Sequence, residues 1–191
     1  GYVTPVKDQQ DGGNCWAFST IAALESCILK ATGEVLDLSE ENVKNLMAIY
    51  SDYGRQKYTP NNGGNGDMAI AYLVSWLGPV SESMDGYDDK SDLSAVLTSL
   101  IHVQNVLFLN RNNYTDNDAI KQAILNYGAV STTMYFDNSY LRVWPGNRMG
   151  HYCTKDTNPN HAVTIVGWDD DIVVPNAPGK GAWIVKNSWG E

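Results

Sequence analysis

Cys15 stands in Gln9-Gln10-Asp11-Gly12-Gly13-Asn14-Cys15-Trp16-Ala17-Phe18, where a glutamine and a glycine-containing turn lead into a cysteine. The cysteine opens a segment with helical periodicity. A thiol in the first turn of a helix sits beside unpaired N–H groups and the positive end of the dipole, which lowers its pKa and favours the nucleophilic thiolate. The plainer alternative is a small buried hydrophobe. Thiol attack on an acyl group also needs a base within hydrogen-bond reach and a third group to orient that base. The chain has three histidines. His102 lies in an apolar, strand-like run and reads as a core or edge residue. His151 lies in Gly150-His151-Tyr152-Cys153, a loop-like stretch, and is expected to be exposed. His161 heads Ala162-Val163-Thr164-Ile165-Val166-Gly167-Trp168, so a rigid strand would hold its ring. Asn187 ends the strand-like run before Ser188-Trp189-Gly190. Its side-chain oxygen can accept from an imidazole N–H, with a neighbouring Trp to shield the bond from water. A zinc site from His151, Cys153, Asp156 and His161 matches no usual ligand spacing. Asp169-Asp170-Asp171 reads as solvated loop charge in preference to a calcium site.

The elements that must position these groups change character along the chain. Ala17, Ile21, Leu24 and Ile28 mark one helical stripe after Cys15, with Gly33 as its stop. Leu38-Ser39-Glu40-Glu41 offers an N-cap with acidic residues in the first turn, then Val43, Leu46, Met47 and Tyr50 on a stripe. Residues 61–66 form a loop, and Ala69, Ile70, Leu73 and Val74 mark a short helix closed by Gly78-Pro79. Residues 80–99 are polar and read as a long surface connection. Val103 to Leu109 is strand-like. Thr115-Asp116-Asn117-Asp118 resembles a capping box before Ile120, Ala123 and Ile124, with Gly128 as stop. Three β-rich runs follow, Val130 to Phe136, His161 to Trp168 and Gly181 to Ser188. A helical half over about 1–100 and a β-rich half over 101–191 result, an α+β class with no internal repeat.

Composition bounds the function. With 191 residues the chain can bury a real core as one domain of two lobes. Its 22 acidic against 13 basic residues give a formal charge of -9, which argues against nucleic acid and anionic membrane surfaces as partners. No apolar run reaches the roughly 18 residues of a membrane span, and no signal peptide is seen. The acidic balance fits an exported, extracellular or cell-surface protein. Three cysteines permit at most one internal disulfide.

The blocks Val6-Lys7-Asp8-Gln9, Cys15-Trp16-Ala17-Phe18-Ser19, Leu38-Ser39-Glu40, Asn62-Gly63-Gly64, His161-Ala162-Val163 and Lys186-Asn187-Ser188-Trp189-Gly190 occur in this order. Together they resemble the papain (C1-type) family of cysteine peptidases over nearly the whole chain. The resemblance implies two lobes, helical and β-barrel-like, with the active site in the cleft between them. Cys15 would be the nucleophile, His161 its base and then acid, and Asn187 the residue orienting His161. Gln9 would join the Cys15 backbone N–H in the oxyanion hole. Gly63 and Gly64 would pair with an extended substrate, and Trp189 would shield the His161–Asn187 bond. Positions Gly66, Thr133, Pro159 and Ala162 would line the pocket for the second residue upstream of the cut, with Asn160 beside the base. This set is small and polar, so bulky apolar side chains are not assured there. No metal or cofactor is implied. The expected activity is endopeptidase hydrolysis through a thioester acyl-enzyme. An acyl or amide transferase, a cell-wall isopeptide amidase and a catalytically weak adhesion or binding module are the alternatives.

The departures define a branch. Family members carry a cysteine three residues before the nucleophile, bonded to one just before the Asn-Gly-Gly loop; here those positions are Gly12 and Asn61. Another usual disulfide position, near Leu46, is also empty. Cys153 resembles a family cysteine whose partner lies past residue 191. Neither Cys27 nor Cys153 is expected to form an internal bridge. The family begins a few residues earlier and continues past Glu191 into a further strand. The chain is therefore expected to be cut from a longer polypeptide, with a propeptide or adjoining domains outside it.

Overall fold

In the computed structural model, residues 1–50, 59–144 and 148–191 are described. Helix α1 (Cys15–Thr32) starts where the Asn14 carbonyl accepts from the N–H groups of Ala17 and Phe18 at 2.9 and 3.2 Å. It stops at Gly33, whose φ of 81° turns the chain left-handed while its N–H donates to the Leu29 carbonyl. Helix α2 (Glu40–Tyr50) is capped by the Ser39 hydroxyl, which accepts from the Asn42 N–H at 3.0 Å. Helix α3 (Gly66–Val74) is capped by the Asn65 side chain, which accepts from the Met68 N–H.

These helices share one core, in which Ala17, Ile21, Val43, Leu46, Met68 and Tyr72 are fully enclosed. The expected stripe on α3 is turned by about one position. Met68 and Tyr72 face inward with Ala69 and Leu73, whereas Val74 is 46% exposed. The Tyr50 side chain of the expected α2 stripe lies outside the described residues.

The second half holds helix α4 (Asp118–Tyr127) and strands β1 (Val130–Met134), β2 (Leu141–Trp144), β3 (Arg148–His151), β4 (His161–Asp169) and β5 (Ala182–Lys186). Strands β1, β4 and β5 form an antiparallel sheet with β4 in the middle, Met134 opposite His161 and Lys186 opposite Thr164. Strands β2 and β3 pair separately, Leu141 opposite His151. Helix α1 docks on β4 through Ser19. Its hydroxyl donates to the Val163 carbonyl at 2.7 Å and lies 2.7 Å from the Ser131 hydroxyl, while the Thr164 hydroxyl donates to the Ser19 carbonyl at 3.0 Å. A helix turn back from Ser19 is Cys15, and two residues back from Val163 is His161. The docking thus sets their approach.

Several expectations fail for identifiable reasons. Val103 to Leu109 forms no strand. It pairs with no strand among the described residues, and Leu107 and Phe108 are 55% and 71% exposed. His102 is exposed and stacks on Trp76 at 4.3 Å. His151 is half-buried at the end of β3 and not in an exposed loop. Asn117 does not cap α4 with its side chain; its Oδ1 accepts from Arg111 at 2.6 Å instead. Residues 80–99 are more than a surface connection. Val80 is fully buried, and the segment returns to α2, where Asn42 donates to Asp85 at 2.7 Å and Lys44 to the Ser91 carbonyl at 2.7 Å. The Asp169 to Asp171 run is solvated, and Asp169 Oδ1 closes a turn by accepting from the Asp171 and Ile172 N–H groups. Cys15, Cys27 and Cys153 are free thiols. No helix among the described residues is long and apolar enough to cross a membrane.

Charges are buried between the helices and the sheet. Lys7 Nζ lies 3.0 Å from Glu25, 3.1 Å from Glu40 and 2.8 Å from Asp37, and it donates to the Leu38 carbonyl at 2.8 Å. Thr4 donates to the other Glu25 oxygen at 2.7 Å and accepts from Lys186 Nζ at 2.8 Å. Burial alone would lower the Lys7 ammonium, but Glu40, Glu25 and Asp37 together hold it above its ordinary range. Burial pushes Glu40 up to about 8 in spite of Lys7. The folded chain therefore keeps a proton on Glu40 that the unfolded chain releases, and this group's contribution to stability falls as pH rises from about 4.5 towards 8.

Replacing Lys7 by Met should cost about 3–5 kcal/mol, since it leaves buried carboxylates without their cation. The loss should be larger at pH 8 than at pH 5.5, where Glu40 keeps its proton; urea unfolding at the two pH values measures it. With every thiol free, dithiothreitol should leave the melting temperature unchanged in a thermal scan.

Candidate active site

His161 opens β4 and is buried, 8% exposed, because α1 lies across the strand. Its Nε2 lies 2.8 Å from Asn187 Oδ1. That oxygen also accepts from the Ser188 N–H at 2.9 Å, which fixes which end of the amide faces the ring. An amide oxygen only accepts, so Nε2 carries the hydrogen and Nδ1 of the neutral ring keeps its lone pair. Cys15 and His161 line one cleft. The ring of Trp189 covers His161 in a stack 4.7 Å away and 24° from parallel.

The expected lowering of the thiol pKa by the helix start is only part of the balance. Burial pushes the Cys15 thiol up, and the amides of Ala162, Trp16 and Cys15 itself pull it down by less. Burial likewise pushes His161 below the ordinary imidazole value, against the pull of Asn187. Each group alone therefore favours its neutral form. A proton passed from the thiol to Nδ1 would create two charges that neutralise one another, and such a pair would titrate together.

Gln9 is buried, 7% exposed, and held at both ends of its amide. Its Oε1 accepts from the Ser188 hydroxyl at 2.6 Å, and its Nε2 donates one hydrogen to the Gly12 carbonyl at 2.8 Å. The second Nε2 hydrogen is what the amide can offer an oxyanion. Main-chain contacts reinforce the placement, since the Gln9 N–H donates to the Ser188 carbonyl at 2.8 Å and Asp8 bridges to Trp189. Gln9, Asn187 and Trp189, from opposite ends of the sequence, are thus joined.

Of the expected binding positions, Gly64, Gly66, Thr133, Pro159, Asn160 and Ala162 line the cleft with Cys15 and His161. Gly63 packs behind the wall, its nitrogen 2.9 Å from where a Cβ on Gly13 would stand. Gly64 has no room for a side chain: a Cβ there would lie 2.3 Å from the Trp16 indole. The residue after the cysteine thus wedges beneath a loop of bare backbone. Asn160 is spent on structure, accepting from the Phe136 N–H at 2.7 Å and donating to its carbonyl at 2.9 Å.

Two residues went unnoticed in the sequence. Ser188 holds Gln9, although it lies inside the Asn187 block. Phe136 sits edge-on to Trp189 at 4.8 Å and against His151 at 5.1 Å. It ends a β-rich run, and nothing in its spacing indicates that it turns towards the site. Among the described residues no cluster of metal-ligating side chains is present.

The sequence pattern of the papain family cysteine proteases matches residues 1–191. The chain belongs to the papain family. Thiol protease aleurain of Arabidopsis thaliana is 32% identical over 193 residues, covering 100% of this chain and 50% of the plant protein. Cathepsin K of Mus musculus is 32% identical over 194 residues, covering 100% of this chain and 54% of its own length. The chain thus spans about half the length of these relatives. Among solved structures, the clostridial cysteine protease Cwp84 after propeptide cleavage superposes with a TM-score of 0.84 at 30% identity, covering 100% of this chain and 48% of that one. The two-lobed α+β arrangement is accordingly the papain-like fold.

Alkylation of Cys15 should read the thiol–imidazole pair directly. Asn187→Ala should shift the pH dependence of iodoacetamide reactivity, because the ring loses the acceptor that selects its tautomer. Gln9→Ala should leave that profile nearly unchanged, since alkylation develops no oxyanion.

Proposed function

We propose that this chain carries the catalytic unit of a cysteine endopeptidase that cleaves polypeptides through a thioester acyl-enzyme. The observation that carries the reading is His161 with Nε2–H held by Asn187, which leaves Nδ1 as the acceptor in the cleft it shares with Cys15. In the first step the Cys15 proton passes to Nδ1 as the sulfur bonds to the scissile carbonyl carbon. The carbonyl oxygen takes up negative charge and receives hydrogen bonds from Gln9 Nε2 and the Cys15 N–H. When the carbon–nitrogen bond breaks, the amine leaves with the proton from His161, and the acyl group stays on sulfur. Water then gives a proton to Nδ1 and attacks the thioester, which releases the acid and regenerates the thiol.

An extended peptide would lie along the bare backbone of Gly63 and Gly64, with side chains towards Gly66, Thr133, Pro159 and Ala162. Trp189 and Phe136 would meet the leaving-group side. Asn160 brings no carboxylate beside the base, and its amide is already occupied. The whole of 1–191 would act as one peptidase unit of a longer protein, its activity held by a propeptide or adjoining domains. Cwp84 is described as a surface-layer-associated protein of Clostridium difficile. That description and the -9 charge support an extracellular or cell-surface site of action. The same charge disfavours nucleic acid as a partner.

A peptide vinyl sulfone should label Cys15 alone, as mapped by peptide mass spectrometry. Cys15→Ala should abolish hydrolysis of a fluorogenic peptide, whereas Cys27→Ser and Cys153→Ser should each retain most of it. Gln9→Ala should lower kcat by roughly 10² with little change in KM. Products carrying an added labelled amine, and no free acid, would make the protein a transferase. Absence of both labelling and turnover would make it a binding module.

A further inference from the structure

The turn before Cys15 is clamped by a residue 78 positions away. The Tyr87 hydroxyl donates to the Gln9 carbonyl at 2.7 Å and accepts from Asn14 Nδ2 at 3.1 Å. Asn14 is fully buried at the N-cap of α1, yet its side chain does not cap the helix. Its Nδ2 bonds Tyr87 and Asn61 instead, and its Oδ1 is buried with no hydrogen-bond partner. Asn61 returns the contact, as its carbonyl accepts from the Gly13 N–H at 2.9 Å and its Nδ2 donates to the Ser91 carbonyl at 3.1 Å. Asp89, two residues past Tyr87, accepts from the Asp11 N–H at 3.2 Å. The Tyr87 ring meets Phe18 of α1 edge-on at 4.8 Å.

Gly12 shows how tightly this clamp closes. A Cβ at that position would stand 2.6 Å from the Tyr87 oxygen and 2.7 Å from Asn14 Nδ2. Any side chain there would push the hydroxyl off the Gln9 carbonyl. Position 12 and position 61 are where the wider family bears its cross-link, and here one is filled by Tyr87's hydroxyl and the other by hydrogen bonds.

We propose that Tyr87 is a positioning residue that holds the two oxyanion donors, Gln9 and the Cys15 N–H, in register through the Gln9 carbonyl and the Asn14 side chain. Both donors are tied to this one hydroxyl, since Gln9 is bonded to it directly and Cys15 follows Asn14 in the chain. Burial pushes the phenol up to about 12, so the hydroxyl stays protonated and can donate across the working range. The proposal rests on the peptidase reading of the site, and its test separates the two.

Tyr87→Phe keeps the ring against Phe18 and removes only the hydroxyl. Its kcat on a fluorogenic peptide should fall about tenfold, with KM and the pH profile of Cys15 alkylation unchanged. Gly12→Ala should produce a similar loss, and the double variant should lose no more than about either single one, because both break the same contact. A peptide aldehyde gives a second readout independent of cleavage. Cys15 sulfur adds to its carbonyl carbon, the thiol proton goes to the oxygen, and the adduct presents that oxygen to the same donors. Tyr87→Phe should bind it about tenfold more weakly. If the wild type binds the aldehyde but cleaves no peptide, the peptidase reading fails and positioning is still measured. Unchanged kcat and aldehyde affinity in Tyr87→Phe would overturn the proposal. So would a rise in KM alone, multiplicative losses in the double variant, or a wild type that takes up neither probe.

Discussion

Glu25 is the charge around which the two halves of the molecule meet. It is 1% exposed in the middle of α1, where an isolated carboxylate would be strongly disfavoured. One oxygen meets Lys7 and the Leu38 N–H, and the other meets Thr4, which in turn accepts from Lys186. Those partners come from the N-terminal segment, the start of α2 and the end of β5. Satisfying one buried carboxylate therefore gathers three separate parts of the chain. Lys186 is the residue before Asn187, and Lys7 is two residues before Gln9. Once the cations are seated, the Asn187 amide and the Gln9 amide can diverge little from where they stand. The main-chain contacts between Gln9 and Ser188, and between Gly190 and Lys7, continue the same junction to the surface.

The site built on this junction is largely buried, and that has consequences for its chemistry. Desolvation favours the neutral thiol and the neutral imidazole, so the helix start cannot by itself supply a standing thiolate. What desolvation removes from each separate ion it would return to a thiolate–imidazolium pair, because opposite charges attract more strongly where water is excluded. Trp189 over His161, with Phe136 against its edge, keeps water from the Nε2 side. The orientation of the ring then matters as much as its basicity. A flipped imidazole would offer Asn187 a lone pair and the thiol a hydrogen, and the proton transfer would have no acceptor.

Much of this was legible where the cause is local. The turn into Cys15, the stripe of Ala17 and Ile21, the stop at Gly33 and the strand headed by His161 all follow from neighbours a few residues apart, and the structure has them where the periodicity indicates. The failures have a different origin. Val103 to Leu109 carries the apolar content of a strand but finds no partner to pair with among the described residues. His151 looked like a loop residue because the β2–β3 pairing rests on contacts across the hairpin and not on alternation within Arg148 to His151. Glu40 and Glu41 read only as acidic residues of a first turn, and both are buried, Glu40 against Lys7 from the N-terminal segment and Glu41 against Lys44 one turn on. The segment 80–99 has the polarity of a surface loop for a related reason. Asp85, Ser94 and the Ser91 carbonyl turn inward to satisfy α2, and composition alone cannot separate a polar group facing water from one facing another polar group.

The same reasoning explains why the surroundings of Cys15 are the least visible part of the design. Gln9, Asn14 and Cys15 are adjacent in sequence, but the groups that fix them, Ser188, Asn61 and Tyr87, arrive from three distant segments and act through hydroxyl and amide hydrogen bonds. Such bonds are directional and short, so they restrain atoms more closely than apolar packing does, and they need only one atom of each partner. A single hydroxyl leaves no periodicity for sequence reasoning to detect. It is recognised by what it satisfies, the second lone pair of the Gln9 carbonyl and one of the two Asn14 amide hydrogens, and by the glycine it requires at 12.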